Sequence, residues 1–484
     1  MTISKETRAP ESTGANPLRW KALAVLALVQ FIIYVDATIV NVALPSIRKD
    51  LGFTADGLIW VVNCYLIAAG GLLLLGGRLA DRIGRRRVFC LGSAAFAVAS
   101  LIAGLSVSPG MLLTGRVIQG VAEALAAPAG LAMVALLFED HKERAKAFGI
   151  WAGLSGLGAC AGVLLSGVFT GLLTWRLIFL INIPLAVIPL LTLPRIIDES
   201  RAPSTGRRID WAGAVLITGG LFAVIYGLLS AVHQPWSAAG VWGPLAAGLV
   251  ALAVALIVES SVAEPLLPLR FFRNRVRLTA NGVTAVIGGV SAAVFFMTVL
   301  YVQDVLGYTP LESGVAWVPF CLAFMGGLFG SMQIIMRFGP RPAMSLGLLV
   351  ASGGLFLLSQ LPVNGSFWAN LLPATVLVAV GFGMTNPAMQ QASMHDVSQA
   401  DAGLGSGVLT TLLQLSGALG LAVFVPIALR EQASSAAAGV SGAEAAVSGY
   451  TLAFEVGSLT LLAGSVAVLF LLRGVPGPRA QQAG

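Results

Sequence analysis

Three charges sit in stretches of the chain that otherwise carry none: Asp36, Arg116 and Glu123. On a helix advancing about 100° per residue, Arg116, Gly120, Glu123 and Ala127 share a face, with Gln119 on its flank. An ionisable group in an apolar segment is costly enough to count as a functional candidate. One arginine between two acids suits proton handling. The guanidinium stays charged and can hold one carboxylate ionised, leaving the other to load and release a proton. Plainer roles stand beside this one. Arg116 and Asp36 could form a purely structural ion pair, and Glu123 could touch lipid headgroups or water instead of a proton or substrate. Glu259 and Glu455 lie nearer segment ends, where interfacial exposure is the expectation.

The elements that must position these groups follow from composition. Hydrophobic residues make up 57% of the chain and charged ones 11%, with a mean hydropathy of +0.88, whereas soluble domains carry roughly 25% charged residues. The apolar runs are about 20 residues long, as membrane helices require, and lack the alternation of a β-barrel. They centre near Tyr34, Ile67, Ala97, Leu125, Gly156, Pro184, Leu221, Leu249, Val290, Phe324, Leu349, Val378, Leu415 and Leu461. The expected fold is an all-α membrane protein of about fourteen transmembrane helices.

Basic residues orient it. Of 29 lysines and arginines, only Arg48, Lys49, Arg176 and Arg430 would fall on one side, with Arg116 inside a span. The rest would share the other side with both termini, which places that side in the cytoplasm. The net charge of +7 is therefore a matter of topology and gives no sign of a nucleic-acid partner. Cys64, Cys90, Cys160 and Cys321 fall in or at the edge of spans without metal-ligand spacing and read as small buried hydrophobes. His141, His233 and His395 lie in or near loops, and no metal site is expected.

The chain also repeats. Arg82-x-Gly84-x-Arg86 with Leu91-Gly92 recurs as Arg337-x-Gly339-x-Arg341 with Leu346-Gly347, and Trp60-Val61-x-x-Cys64 recurs as Trp317-Val318-x-x-Cys321. Parallel repeats of six spans are a known transporter plan. The resulting organisation is two pseudo-symmetric six-helix halves with two extra helices between them. Residues 1–20 form a tail, 21–195 the first half, 196–270 a linker holding the two extra spans, 271–473 the second half, and 474–484 a second tail.

Several motifs carry a resemblance. Gly77-x-Leu79-Ala80-Asp81-Arg82-x-Gly84-Arg85-Arg86 resembles the loop between the second and third helices of the major facilitator superfamily. Asp36-x-Thr38-Ile39-Val40-Asn41-Val42-Ala43-Leu44-Pro45, Arg116-x-x-Gln119-Gly120 and Trp175-Arg176-x-Ile178-Phe179-x-x-Asn182-x-Pro184 resemble its fourteen-span drug:proton antiporter family, as do the glycine-rich stretches at 403–407 and 414–420. The fifth span departs from that family's pattern. In Gly158-x-x-x-Gly162-Val163-Leu164-Leu165-Ser166-Gly167, Val163 stands for a proline and Ser166 for a glycine.

The resemblance implies proton-coupled export of amphipathic small molecules, such as drugs, antibiotics or toxic metabolites, by alternating access. It implies a bacterial cytoplasmic membrane, small-molecule, proton and lipid partners, and no obligate protein partner. It also implies a conformational latch at Gly77, Asp81, Arg82, Gly84 and Arg85. No GxxxxGK[ST] motif is present, so the energy source must be a gradient and no cofactor is expected. Tyr34, Thr38 and Asn41 share a face of the first span. With Asn63, Gln119, Tyr301, Asn386 and Gln414 they are candidate cavity residues, each equally suited to interhelical hydrogen bonding. Trp60 and Trp317 read as interfacial anchors. The rival readings are a proton-coupled importer or metabolite permease on the same fold and, less favoured, a membrane-embedded enzyme or a sensor.

Overall fold

The computed structural model describes residues 18–138, 140–201, 210–262, 265–266, 269–397 and 402–472. Most of both expected tails lies outside these residues, as do Lys5, Arg8, Arg207, Arg208, Arg473 and Arg479. The described chain is helical without strands, and 14 helices are long and apolar enough to cross a membrane. They are α1 (Arg19–Leu51), α2 (Ile59–Ile83), α3 (Arg85–Gly104), α4 (Pro109–Leu137), α5 (Lys142–Leu172), α6 (Leu177–Ile196), α7 (Trp211–Ser230) and α8 (Ala239–Ser261). The second set is α9 (Arg275–Val305), α10 (Pro310–Phe338), α11 (Pro340–Leu358), α12 (Phe367–Ser393), α13 (Gly403–Ala437) and α14 (Gly442–Leu471).

Local chemistry fixes the helix starts. Ser108, Asp140, Asp210, Asn274 and Ser441 each accept a backbone N–H from the first turn they precede, and Thr309 with Glu312 forms a reciprocal capping box before α10. The sequence repeat has a backbone cause. Gly84 turns α2 into α3 at φ 130°, and Gly339 turns α10 into α11 at φ 84°, a region that favours glycine. Small residues set the helix spacing. A Cβ on Gly120 of α4 would lie 2.5 Å from the Tyr65 carbonyl of α2, and one on Gly92 of α3 would lie 2.8 Å from the Ala122 carbonyl of α4. Such close approach is how helices associate where lipid offers no hydrophobic driving force.

α1–α6 form one half and α9–α14 the other. The added pair α7–α8 leans on both, with α7 packed against α2 and α13. The halves touch most closely at the end away from the Arg-rich hairpins. There Arg48 Nη2 lies 3.0 Å from Asp304 Oδ2, and Gln303 Nε2 donates to the Val42 carbonyl at 2.8 Å. Gly167 of α5 abuts Gly314 of α10 at the same end. Towards the basic end α5 and α10 part: a Cβ on Gly149 or Gly153 of α5 would meet nothing within 4 Å, and Met332 on the facing side of α10 is exposed. The molecule is closed at the face opposite the basic hairpins.

Several expectations need correcting. Trp317 is no interfacial anchor; it is 4% exposed and stacks on Phe295 at 4.3 Å, because α10 turns inward there. Trp60 packs against Phe222 and Tyr226 of the added helix α7. Glu259 is buried beside the Asp210 cap of α7, since the α7–α8 hairpin folds its charged end inward. The four cysteines are half-buried, not core, and Cys160 meets Cys321 across the two halves.

Gly120→Val should lower the thermal midpoint in detergent, reflecting about 1–3 kcal/mol of overpacking between α2 and α4. Gly110→Ala, where a Cβ meets nothing within 4 Å, should leave it unchanged. Equal midpoints for the two variants would contradict the packing described.

Candidate functional site

α4 carries the centre of the site. Its Arg116 side chain is 1% exposed, and Nη1 lies 2.5 Å from Oδ2 of Asp36, itself 0% exposed, on α1. The same nitrogen donates to Gln119 Oε1 at 2.9 Å, and Nε donates to the Val61 carbonyl of α2 at 3.0 Å. Asp36 Oδ1 accepts from Gln119 Nε2 at 2.9 Å and from Asn182 Nδ2 at 2.8 Å. Gln119 also donates to Ser100 Oγ of α3 at 3.0 Å. The guanidinium lies over the Tyr65 ring at 4.2 Å, with Phe179 on a second side at 5.9 Å. Charges so buried persist only when paired and hydrogen-bonded. Five helices, α1, α2, α3, α4 and α6, supply the partners.

Glu123 occupies a different setting two turns along α4. Its Oε1 accepts from Gln414 Nε2 of α13 at 2.8 Å, a bond that joins the two halves. Its Oε2 has no hydrogen-bond partner among the described residues. Tyr65 stands between the settings. Its ring faces Arg116, and its hydroxyl approaches Glu123 without reaching hydrogen-bond geometry. Arg116 thus pairs with Asp36 alone instead of sitting bonded between two acids. Tyr34 is half-buried near the same point.

The remaining cavity candidates scatter. Thr38 Oγ1 donates to the Ala159 carbonyl of α5 at 3.1 Å, and Asn41 bonds back to its own helix at the Ala37 carbonyl. Both are used in packing. Gln119 is sealed inside the Asp36 network. Tyr301 is 1% exposed and donates to the Pro362 carbonyl at 2.9 Å, pinning the α11–α12 loop, so it does not line a central cavity. Asn386 accepts from Gln390 on its own helix. Asn63 is fully buried, and neither amide atom finds a partner among the described residues.

Two participants escaped the candidate set. Asn182 was legible only as part of a motif, yet it begins the second segment of α6 where the helix breaks at Ile181, aimed at Asp36. Ser100 gave no signal beyond being a small residue in an apolar run.

The basic hairpin is organised separately. Asp81 Oδ1 accepts from Arg85 Nη2 at 2.8 Å, while Arg82 is exposed. The start of α3 is capped not by Asp81 but by Glu199, whose oxygens accept from the Arg86 and Arg87 backbone N–H groups at 3.1 Å each. Gly84 is required there, since a Cβ would lie 2.5 Å from that carboxylate.

Comparison with known proteins bears on the arrangement. The sequence profile of the Major Facilitator Superfamily matches residues 26–421. The chain belongs to the major facilitator superfamily. It is 37% identical to the puromycin resistance protein of Streptomyces alboniger, over 93% of this chain and 91% of that one. It is 34% identical to the lincomycin resistance protein of Streptomyces lincolnensis, over 98% and 96%. Against the cephamycin export protein of Amycolatopsis lactamdurans the identity is 35%, over 88% and 87%. A crystal structure of a bacterial homologue of the human lysosomal transporter Spinster, inward-facing and unoccupied, superposes with a TM-score of 0.68 at 16% identity, covering 96% of this chain and 100% of that one. That likeness concerns the fold. As a superfamily member the protein is a multi-pass membrane transporter and not an enzyme.

Asp36→Ala should cost about 3–5 kcal/mol, because it strands the buried Arg116 charge. Asn182→Ala should cost only about 1–3 kcal/mol, the loss of one hydrogen bond to a charged group. Unfolding midpoints of the purified variants would check the order, and a milder Asp36→Ala would contradict it.

Proposed function

We propose that this protein exports amphipathic small molecules by alternating access, with protons returning in exchange. The carrying observation is the contrast along α4. Asp36 is saturated by Arg116, Gln119 and Asn182, whereas Glu123 keeps one free oxygen and bonds across the two halves to Gln414. In this reading Arg116 holds Asp36 ionised as a fixed pair. Glu123 is the carboxylate that exchanges a proton with substrate. Loading it changes its bond to Gln414 and so couples chemistry to the rocking of the halves. Each returning proton carries about 2.3 kcal/mol per 100 mV of membrane potential. No cofactor is needed.

The relatives support export: three are named for resistance to puromycin, resistance to lincomycin and export of cephamycin. We place the basic face, with both termini, in the cytoplasm of a bacterium, as the distribution of arginine favours. The closure at the opposite face then corresponds to an inward-open state. In that state the Asp81–Arg85 pair stays within its own hairpin. The latch role assigned to Gly77, Asp81, Arg82, Gly84 and Arg85 belongs to the outward-open state. A second reading, a proton-coupled importer or permease, draws on the fifth-span motif, where Val163 replaces the proline and α5 runs unbroken.

Liposomes containing the purified protein and an internal pH dye test both readings. Adding puromycin or lincomycin in turn should release protons in wild type, and Glu123→Gln should reduce that flux at least about tenfold while keeping the fold. Movement of the drug with the proton would instead favour import, and unimpaired flux in Glu123→Gln would remove that residue from the cycle. Asp81→Asn should leave the inward-open state intact and deplete the outward-open one, read by distances between spin labels on the two halves. Unchanged populations would refute the latch.

A further inference from the structure

α5 and α10 belong to different halves and meet along one antiparallel line. At the closed face, Gly167 and Gly314 bring the backbones together, such that a Cβ on Gly167 would lie 3.0 Å from Gly314 Cα. Further along the same line Cys160 faces Cys321, each lying two turns from the Gly167–Gly314 contact on the same face of its helix, with the thiols close enough to interact. One turn on, a Cβ at Gly156 would lie 3.4 Å from Met325 Sδ. Beyond that point the helices separate: a Cβ on Gly149 or Gly153, on the same face of α5, would meet nothing within 4 Å, and Met332 on the facing side of α10 is exposed. The thiol pair therefore stands near the point where α5 and α10 part and the opening between them towards the basic face begins. Both cysteines are free and half-buried. Cys64 and Cys90 lie on α2 and α3, within a single half.

We propose that Cys160 and Cys321 are a redox modification site, and that a peroxide converts them to a disulfide tying the two halves together. The step balances. One sulfur, its proton passing to water, attacks a peroxide oxygen to give a sulfenic acid and release water or an alcohol. The second sulfur then displaces water from that sulfenic acid, and the sulfur–sulfur bond forms. Two thiols and one hydrogen peroxide thus yield one disulfide and two waters. A dithiol reductant reverses the reaction through a mixed disulfide. In a reducing cytoplasm the pair remains open. Both cysteines are partly exposed, which gives oxidant and reductant a route to them. The bond joins parts that must move apart at Gly167 and Gly314 when the closed face opens, so it arrests that movement.

The test uses the full-length protein with Cys64→Ser and Cys90→Ser, leaving only the pair in question, and a protease site placed within residues 202–209. After treatment with hydrogen peroxide, blocking with N-ethylmaleimide and cleavage, the two fragments should migrate as one full-length band without reductant and separate with dithiothreitol. Adding Cys160→Ser or Cys321→Ser should abolish the band. In wild type, mass spectrometry should recover the linked peptides, which guards against misfolding of the variants. Hydrogen exchange around Gly167 and Gly314 should slow several-fold in the oxidised protein. Separate fragments after oxidation would overturn the site, and unchanged exchange in a linked protein would overturn the tie.

Discussion

The ion pair between Asp36 and Arg116 is the constraint around which the first half is arranged. Neither side chain reaches solvent, and lipid offers no substitute for water. An unpaired charge at that depth is not tolerable, so every remaining donor and acceptor must be met by protein. Gln119, Asn182 and the Val61 carbonyl do this, and the faces of Tyr65 and Phe179 cover what is left of the guanidinium. The partners come from α2, α4 and α6. Satisfying the pair therefore fixes the rotation of α1, α2, α4 and α6 relative to one another. The close passage of α2 over Gly120 is part of the same arrangement, since the Val61 carbonyl reaches Arg116 only if α2 lies that near.

From this follows a division along α4. Arg116 bonds within its own half, and Glu123, two turns away on the same face, bonds across the seam. The Asp36–Arg116 pair is held by hydrogen bonds from α2, α4 and α6, and removing one member strands the others. A carboxylate with one free oxygen and a single bond to the opposite half is the reverse case. It can change partner without exposing a second buried group. Tyr65 touches both, through its ring on one side and its hydroxyl on the other. The rigid pair thereby sets the position of the acid at the seam without sharing a hydrogen bond with it.

Much of the fold was legible because membrane spans announce themselves by length and because the two halves echo one another. The echo proved to be backbone chemistry: Gly84 and Gly339 both hold a positive φ between two antiparallel helices. Helical periodicity also placed Arg116 and Glu123 on one face of α4. Periodicity gives a face, however, and not the direction in which that face is turned. The sequence reading therefore could not tell that Thr38 would donate into α5, that Tyr301 would be walled off by the Pro362 loop, or that Trp317 would stack inward. The bond from Gln414 to Glu123 spans 291 positions, and that from Asn182 to Asp36 spans 146. No local pattern encodes such pairs. They emerge only when independent helices find a joint packing.

The two added helices are bound by the same logic of satisfied polar groups. Their connecting loop is fastened on one side by His233 Nε2, 3.0 Å from Asp56 Oδ2 in the α1–α2 loop. On the other side Arg430 of α13 donates to the Ala231 and Gln234 carbonyls and lies over the Trp236 ring. The hairpin thus bridges both halves at the face where they are closed. His233 is 66% exposed, so its ion pair adds little by itself. The main attachment is α7 lying against α2 and α13, where Phe222 and Tyr226 meet Trp60 and a Cβ at Gly71 would run into Thr218. The added pair is therefore joined to both halves at that face chiefly by packing and not by charge.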